Sequence, residues 1–196
     1  MVAFALPPAR VKAEDELFIA LSPVKTESDG VTYYCFDNPT SVFADGEVKI
    51  VAGQNGIYYV SVGENGETEV KYKNTPADKV YRRTAHEDNT EYLIILNDGK
   101  LSTLGIDDDI TALSLNGING NILDFDIVGN KLYAITATQA VVVPLIETGI
   151  DVQKAYAAPI SSSRHSKINA KTITAINGKL YISVKAVFGN KWDVCS

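Results

Sequence analysis

A chain of 196 residues that is 45% hydrophobic and 21% charged has material for one or two packed domains and is not a disordered tail. Lys and Arg number 18 against 24 Asp and Glu, a net charge of −6, so nucleic-acid binding would need a local basic patch. No apolar run approaches the roughly 18 to 20 residues of a membrane-spanning helix, and a soluble protein is expected.

At the N-terminus, MVAFALPPARVKAEDE carries a faint cleavage-like Val11-Lys12-Ala13. Its apolar part runs only from Val2 to Leu6, prolines interrupt it, and no basic residue precedes it. That is an intracellular start rather than a secretory leader. Helical periodicity is weak everywhere and reaches a candidate only at Glu14 to Leu21. Strand-like stretches follow at 17–21 and 31–36. Cys35 and Cys195 could pair only by bringing the two ends together, and the one Asn-x-Thr match, 38–40, has a blocking proline. Both features lean towards a reducing compartment.

From residue 40 onward, Gly and Asn punctuate short runs rich in Val, Ile, Tyr and Thr, which predicts strands and tight turns. Residues 56–73 read as a hairpin about a Gly-Glu-Asn-Gly turn. The segment YRRTAH at 81–86 comes nearest to a basic patch, but Glu87 and Asp88 follow at once, and a solvated loop is expected. A second hairpin spans 91–106 with its turn at Asn97-Asp98-Gly99. A third spans 131–146 with a turn near Thr138 and Gln139, and a fourth spans 179–194 with a turn at Gly189-Asn190. The strings VGNKLYAIT at 128–136 and INGKLYISV at 176–184 are nearly the same. Each is preceded by another strand, NILDFDIV at 121–128 and AKTITAI at 170–176.

Aligning the hairpins on Tyr58, Tyr92, Tyr133 and Tyr181 gives spacings of 34, 41 and 48 residues, the differences between their sequence numbers. Repeats of about 40 to 50 residues suit the four-stranded blades of a β-propeller. The sequence resembles β-propellers of the WD40-like and quinoprotein-like kinds over residues 40–195, through these tyrosine strands and a lone Trp192-Asp193 dipeptide. It departs from the WD40 pattern in having no Gly-His pair before the strands. At the Trp-Asp position of the third hairpin it has Val143-Pro144, so the polar network of those repeats cannot be assembled.

The expected fold is therefore all-β, a propeller or partial propeller of about four antiparallel blade-like repeats near 40–75, 80–106, 110–150 and 168–196. These form a single domain over 1–196 that is incomplete as it stands. A closed ring removes exposed sheet edges. More of the same chain is the expected completion; a partner or the strands at 17–21 and 31–36 are the alternatives. The competing architecture is an open β-sandwich whose tyrosines share only hairpin chemistry.

Motifs with chemical potential are few. His86 and His165 sit in polar connecting segments, and the serines around His165 (Ser161, Ser162, Ser163, Ser166) lack the Gly-x-Ser-x-Gly elbow of a nucleophile. Asp107, Asp108 and Asp109 are consecutive, so their side chains diverge, and calcium-loop spacing is absent. GQNG at 53–56 and GENG at 63–66 lack the strand-to-helix context of a phosphate loop. Asp124 and Asp126 share one strand face, as channel-lining carboxylates or as an exposed face. Adjacent tyrosines, Tyr33-Tyr34 and Tyr58-Tyr59, must point opposite ways. No catalytic, cofactor-binding or metal-binding residue is assigned.

The resemblance implies a non-enzymatic interaction module that binds other proteins within an intracellular assembly; no cofactor is expected, and the short apolar runs and acidic net charge lead to no membrane and no direct nucleic-acid contact as expectations. The alternative is a secreted or periplasmic propeller that binds carbohydrate, or acts as a hydrolase or lyase, through channel carboxylates such as Asp124 and Asp126.

Overall fold

The computed structural model describes residues 4–5, 24–28, 31–36, 38–46, 48–84, 91–105, 110–147, 149–161, 168–186 and 192–195. The helix candidate Glu14 to Leu21, the stretch at 17–21 and the Gly189-Asn190 turn lie outside them. Among the described residues the only helical element is a single 3-10 turn; everything else regular is antiparallel β. The chain divides into two compact units, Met1–Arg82 and Arg83–Ser196.

The first unit opens with β1 (Phe4–Ala5), β2 (Val24–Ser28) and β3 (Val31–Cys35), which form a sheet in the order β1-β3-β2. A four-stranded meander follows: β4 (Pro39–Asp45), β5 (Val48–Gly53), β6 (Gly56–Val62) and β7 (Thr68–Lys73). Ile50 through Gly53 are buried one after another, as expected of a central strand covered on both faces. On one side Val51, Tyr58, Val60 and Tyr72 pack with Phe36, and the Tyr58 ring stands 4.9 Å from both Phe36 and Tyr72. The Tyr72 hydroxyl donates to the Asn55 carbonyl, so its ring lies across the β5–β6 turn. Gly56 is required beneath it. Its φ is +153°, and a Cβ would fall 2.5 Å from the Tyr72 ring and 2.4 Å from the Lys73 carbonyl oxygen.

The next sheet runs β8 (Lys79–Thr84), β9 (Glu91–Asn97), β10 (Lys100–Gly105) and β11 (Ile110–Ala112), with neighbours in sequence also neighbours in space. Leu93 to Leu96 form its buried centre. The expected turn at Asn97-Asp98-Gly99 is present, with positive φ at Asp98 (46°) and Gly99 (72°), the geometry that matches strand twist.

The third sheet contains β12 (Asp124–Val128), β13 (Lys131–Ile135) and β14 (Gln139–Ile146). Its outer strand comes in two pieces, β15 (Gly149–Ile150) and β16 (Tyr156–Pro159), both paired to β14. A 3-10 turn at Val152–Lys154, capped by the Asp151 carboxylate, separates the pieces. The interruption falls opposite Pro144, which has no N–H to offer a ladder. The fourth sheet is β17 (Ile168–Ile176), β18 (Lys179–Ala186) and β19 (Trp192–Cys195).

The two near-identical strings are β13 and β18, each the second strand of its sheet, preceded by β12 and β17 as expected. Tyr92, Tyr133 and Tyr181 all lie on second strands. Tyr58 does not: it is on β6, the third strand of its sheet, and the equivalent second strand is β5. Strands on either side of a tight Asn/Gly turn carry the same side-chain alternation, so an aromatic alone does not say which of the two it marks. Trp192 opens the third strand of the fourth sheet, and Val143-Pro144 lies in the third strand of the third sheet.

Packing between the third and fourth sheets buries Ile135, Ala170, Ile173 and Val184, bordered by Tyr133, Ile160, Leu180 and Ile182. Ile173 is 2% exposed. Replacing Ile173 with Ala is expected to cost about 2 to 5 kcal/mol, read as a lower urea midpoint at unchanged slope.

Candidate functional site

Asp124 and Asp126 stand two residues apart on β12, and their carboxylates reach the same way. Asp124 Oδ2 accepts from the Ile173 N–H at 2.9 Å, and Asp126 Oδ2 accepts from the Ala175 N–H at 2.7 Å. Their Oδ1 atoms take the N–H groups of the following residues, Phe125 at 2.9 Å and Ile127 at 2.8 Å. Ile173 and Ala175 lie on β17, whose one strand partner among the described residues is β18. The outward donors of this edge strand are therefore satisfied by side chains instead of by another strand. Both bonds span 49 residues, so β12 and β17 run parallel as equivalent first strands of successive sheets. The same-face placement expected from the sequence is present, and both oxygens of each carboxylate are engaged by backbone.

His86, His165, Asp107, Asp108, Asp109, Ser162, Ser163 and Ser166 lie outside the described residues; Ser161 is exposed. GQNG and GENG join strand to strand. Among the described residues no group of three or more His, Cys, Asp or Glu is placed to hold a metal ion, and no helix is long and apolar enough to cross a membrane. The solvated loop expected at 81–86 is corrected at its start. Tyr81, Arg82 and Arg83 belong to strand β8, and all three are half-buried. Tyr81 packs against Phe43 with ring centroids 4.7 Å apart and planes tilted by 53°, and Arg82 reaches Asp45 at 3.7 Å.

The sequence also left the connectors between sheets unread. In the sheets of β4–β7, β8–β11 and β12–β16, the segment leaving the outer strand donates a backbone N–H to a carbonyl at the turn between the second and third strands. These bonds are Ala77 to Gly53 at 3.1 Å, Ile122 to Gly99 at 2.9 Å, and Ile160 to Thr138 at 2.8 Å. In the first case Thr40 Oγ1 also donates to the Ala77 carbonyl at 2.7 Å. Connector and turn thus form one built surface at that end of each sheet.

The longest such connector runs from Leu113 to Leu123. The Gln139 side chain braces its middle, accepting from the Asn119 N–H at 2.7 Å and donating to the Gly117 carbonyl at 3.3 Å. Gln139 itself starts the strand after a turn closed by Thr136, whose hydroxyl accepts from the Gln139 N–H at 3.1 Å. A Cβ on Gly99 would lie 2.5 Å from Asn121 Cβ, so the connector seats directly on that turn. Leu113 to Leu123 holds no ionisable side chain, and Asn116, Asn119, Asn121 and Leu123 are exposed. The surface therefore offers the exposed Ser114 hydroxyl, side-chain amides, backbone groups and the exposed Leu123 side chain, with Leu113, Leu115 and Ile118 half-buried. Such a surface suits hydrogen-bonded docking.

No protein-family model and no curated protein matches the chain. Among solved structures, it is similar to the N-terminal domain of Nup159, with a TM-score of 0.54 and 14% identity over 83% of this chain and 44% of that one. A Saccharomyces cerevisiae assembly in which Dbp5 is bound to Nup159, Gle1, IP6 and ADP matches with a TM-score of 0.53, at 14% identity and the same 83% and 44% coverage. A virginiamycin B lyase from Staphylococcus aureus matches at a TM-score of 0.45 and 14% identity over 90% of this chain and 63% of that one, and nothing about this chain follows at that level. The chain spans 44% of the length of the Nup159 domain. The likeness establishes the fold: an all-β, propeller-type chain of about four antiparallel blade-like repeats, and not an open sandwich.

Asp126→Ala should leave the Ala175 N–H without its acceptor and cost about 1.5 to 3 kcal/mol, measured by urea unfolding. A second outcome concerns Tyr92, whose phenol is pushed above the ordinary tyrosine value by burial, with the Arg83 cation opposing. A raised folded value means this contribution to stability is intact below about pH 10 and is lost as pH climbs through the folded value. Tyr92→Phe should therefore narrow the stability loss between pH 9 and pH 11 relative to the native chain; an unchanged loss would contradict it.

Proposed function

We propose that this chain is a non-enzymatic protein-interaction module, a set of propeller blades whose connector surface docks a partner protein. The carrying observation is the Leu113 to Leu123 connector, pinned at Gly99 and braced by Gln139. A loop already held in one conformation pays less ordering entropy when a partner closes over it. Its lack of ionisable groups favours recognition of another protein's backbone and apolar side chains, with Leu123 as an anchor that is 44% exposed. The Nup159 of the similar yeast structure is bound with other proteins, Dbp5 and Gle1, and this chain's fold is compatible with such use.

In this reading residues 1–196 form one domain, the blades belong to a larger ring completed by further chain or by a partner, and the protein acts inside the cell. The spread of the Nup159 match, in which this chain covers less than half of the longer domain, supports a larger ring. The carbohydrate-binding or lyase alternative rested on Asp124 and Asp126, and those carboxylates are occupied in joining β12 to β17.

The test is partner capture from the native cell with a photo-crosslinking residue at Asn119, compared with one at the exposed Lys71 on β7. A defined protein should be trapped from Asn119 alone, and Leu123→Arg should weaken its binding by about tenfold or more while moving stability by less than about 0.5 kcal/mol. Equal trapping from both positions, or a partner indifferent to Leu123→Arg, would remove the connector from the interface.

A further inference from the structure

The chain contains five Asn-Gly pairs, beginning at Asn55, Asn65, Asn116, Asn119 and Asn177. Asparagine is a thermally labile residue, and most so before glycine, because a residue without Cβ lets its own amide nitrogen approach the preceding side chain. In sequence the five pairs are equivalent; in the fold they are not. At the first, the Tyr72 hydroxyl donates to the Asn55 carbonyl and the Tyr72 ring covers the buried Gly56, where even a Cβ would fall 2.5 Å from a ring atom. At the second, the Gly66 N–H, whose nitrogen would have to attack, is committed to the Gly63 carbonyl at 2.9 Å. Asn177 (φ 52°) and Gly178 (φ 73°) form a two-residue turn closed by the Ile176 and Lys179 pair, and rotating its central peptide would open that hairpin. The backbone N–H of Asn119 is held on the Gln139 side chain at 2.7 Å, which anchors the reacting residue itself.

Asn116 differs from all four. It and Gly117 are both exposed, at a turn of the connector. The bond that fixes this turn, from Gln139 Nε2, goes to the Gly117 carbonyl at 3.3 Å, one peptide further on. The peptide joining Asn116 to Gly117 is therefore anchored beyond its glycine and not across it. Gly117 has φ of +78°, in a region that glycine enters and leaves without steric cost.

We propose that Asn116 is a site of spontaneous backbone modification, in which it cyclises to a succinimide and opens to aspartate and isoaspartate. The Gly117 nitrogen attacks Asn116 Cγ and forms the new N–Cγ bond; the Cγ–Nδ2 bond breaks, and Nδ2 leaves as ammonia with the former amide proton of Gly117. Water then opens the ring. Its addition at Cγ gives aspartate, and its addition at the backbone carbonyl carbon gives isoaspartate, with the chain continuing through Cγ; neither step is a redox step. Either product places a carboxylate in the stretch from Leu113 to Leu123, which has no ionisable side chain of its own, and isoaspartate also lengthens the backbone by one carbon. In the docking reading this turns an uncharged surface into a charged one, but the reaction is read chemically and stands or falls apart from any partner.

The test is ageing of the full chain in mildly alkaline buffer, followed by peptide mapping by mass spectrometry and by labelling of isoaspartate with a protein isoaspartyl methyltransferase. In the folded chain Asn116 should convert several times faster than any of the other four. In concentrated urea the five rates should draw together, since only the fold separates them. Asn116→Gln, whose larger ring closes more slowly, should remove the fast phase and leave the other four rates unchanged. Conversion at any other pair as fast as at Asn116 in the folded chain, or an Asn116 that reacts only in urea, overturns the proposal.

Discussion

A first strand at the edge of its sheet has a row of N–H groups that no neighbouring strand can take, and these have to be met before the strand can be buried. On β17 the solution is a pair of carboxylates at positions i and i+2 of β12, matched to amides at positions j and j+2. Alternation on both strands makes this possible, and the pairing of 124 with 173 and 126 with 175 fixes the two strands in parallel register. The apolar contacts of Ile135, Ala170, Ile173 and Val184 then close beneath it. A charge-assisted bond to a buried amide is directional where apolar packing is not, so the Asp pair sets the register in which the two sheets meet.

The same backbone requirement shapes the other end of the sheets. Chain leaving an outer strand must cross to the first strand of the next sheet, and each crossing segment carries polar groups that need partners. Carbonyls exposed at the turn between second and third strands provide them, at Gly53, Gly99 and Thr138. The consequence is a set of loops with little freedom, and that property makes them useful for recognition. Gln139 extends it, because one side-chain amide meets both a donor and an acceptor of the longest connector.

Much of the architecture can be read in the residues. Strand-forming runs and Asn/Gly turns specified the antiparallel hairpins, and the strings at 128–136 and 176–184 correctly paired β13 with β18. The face shared by Asp124 and Asp126 followed from period-two alternation alone. The first repeat was displaced by one strand, since Tyr58 sits on the far side of a turn whose two flanks look alike. The Tyr81-Arg82-Arg83 segment read as solvated because its charges are local and visible, whereas the Phe43 ring and Asp45 carboxylate that draw it into a strand come from β4, far back along the chain.

By itself the sequence determined that the chain is built of antiparallel hairpins with a repeat near blade length, because turn chemistry and alternation act between residues close in the chain. Tertiary structure alone decided what the polar residues do. Whether Asp124 faces open space or the Ile173 amide, and whether Gln139 braces a connector, depend on atoms distant in sequence. A hydrogen bond is made or left unmade by a difference of an ångström or so, a distance that spacing along the chain does not encode.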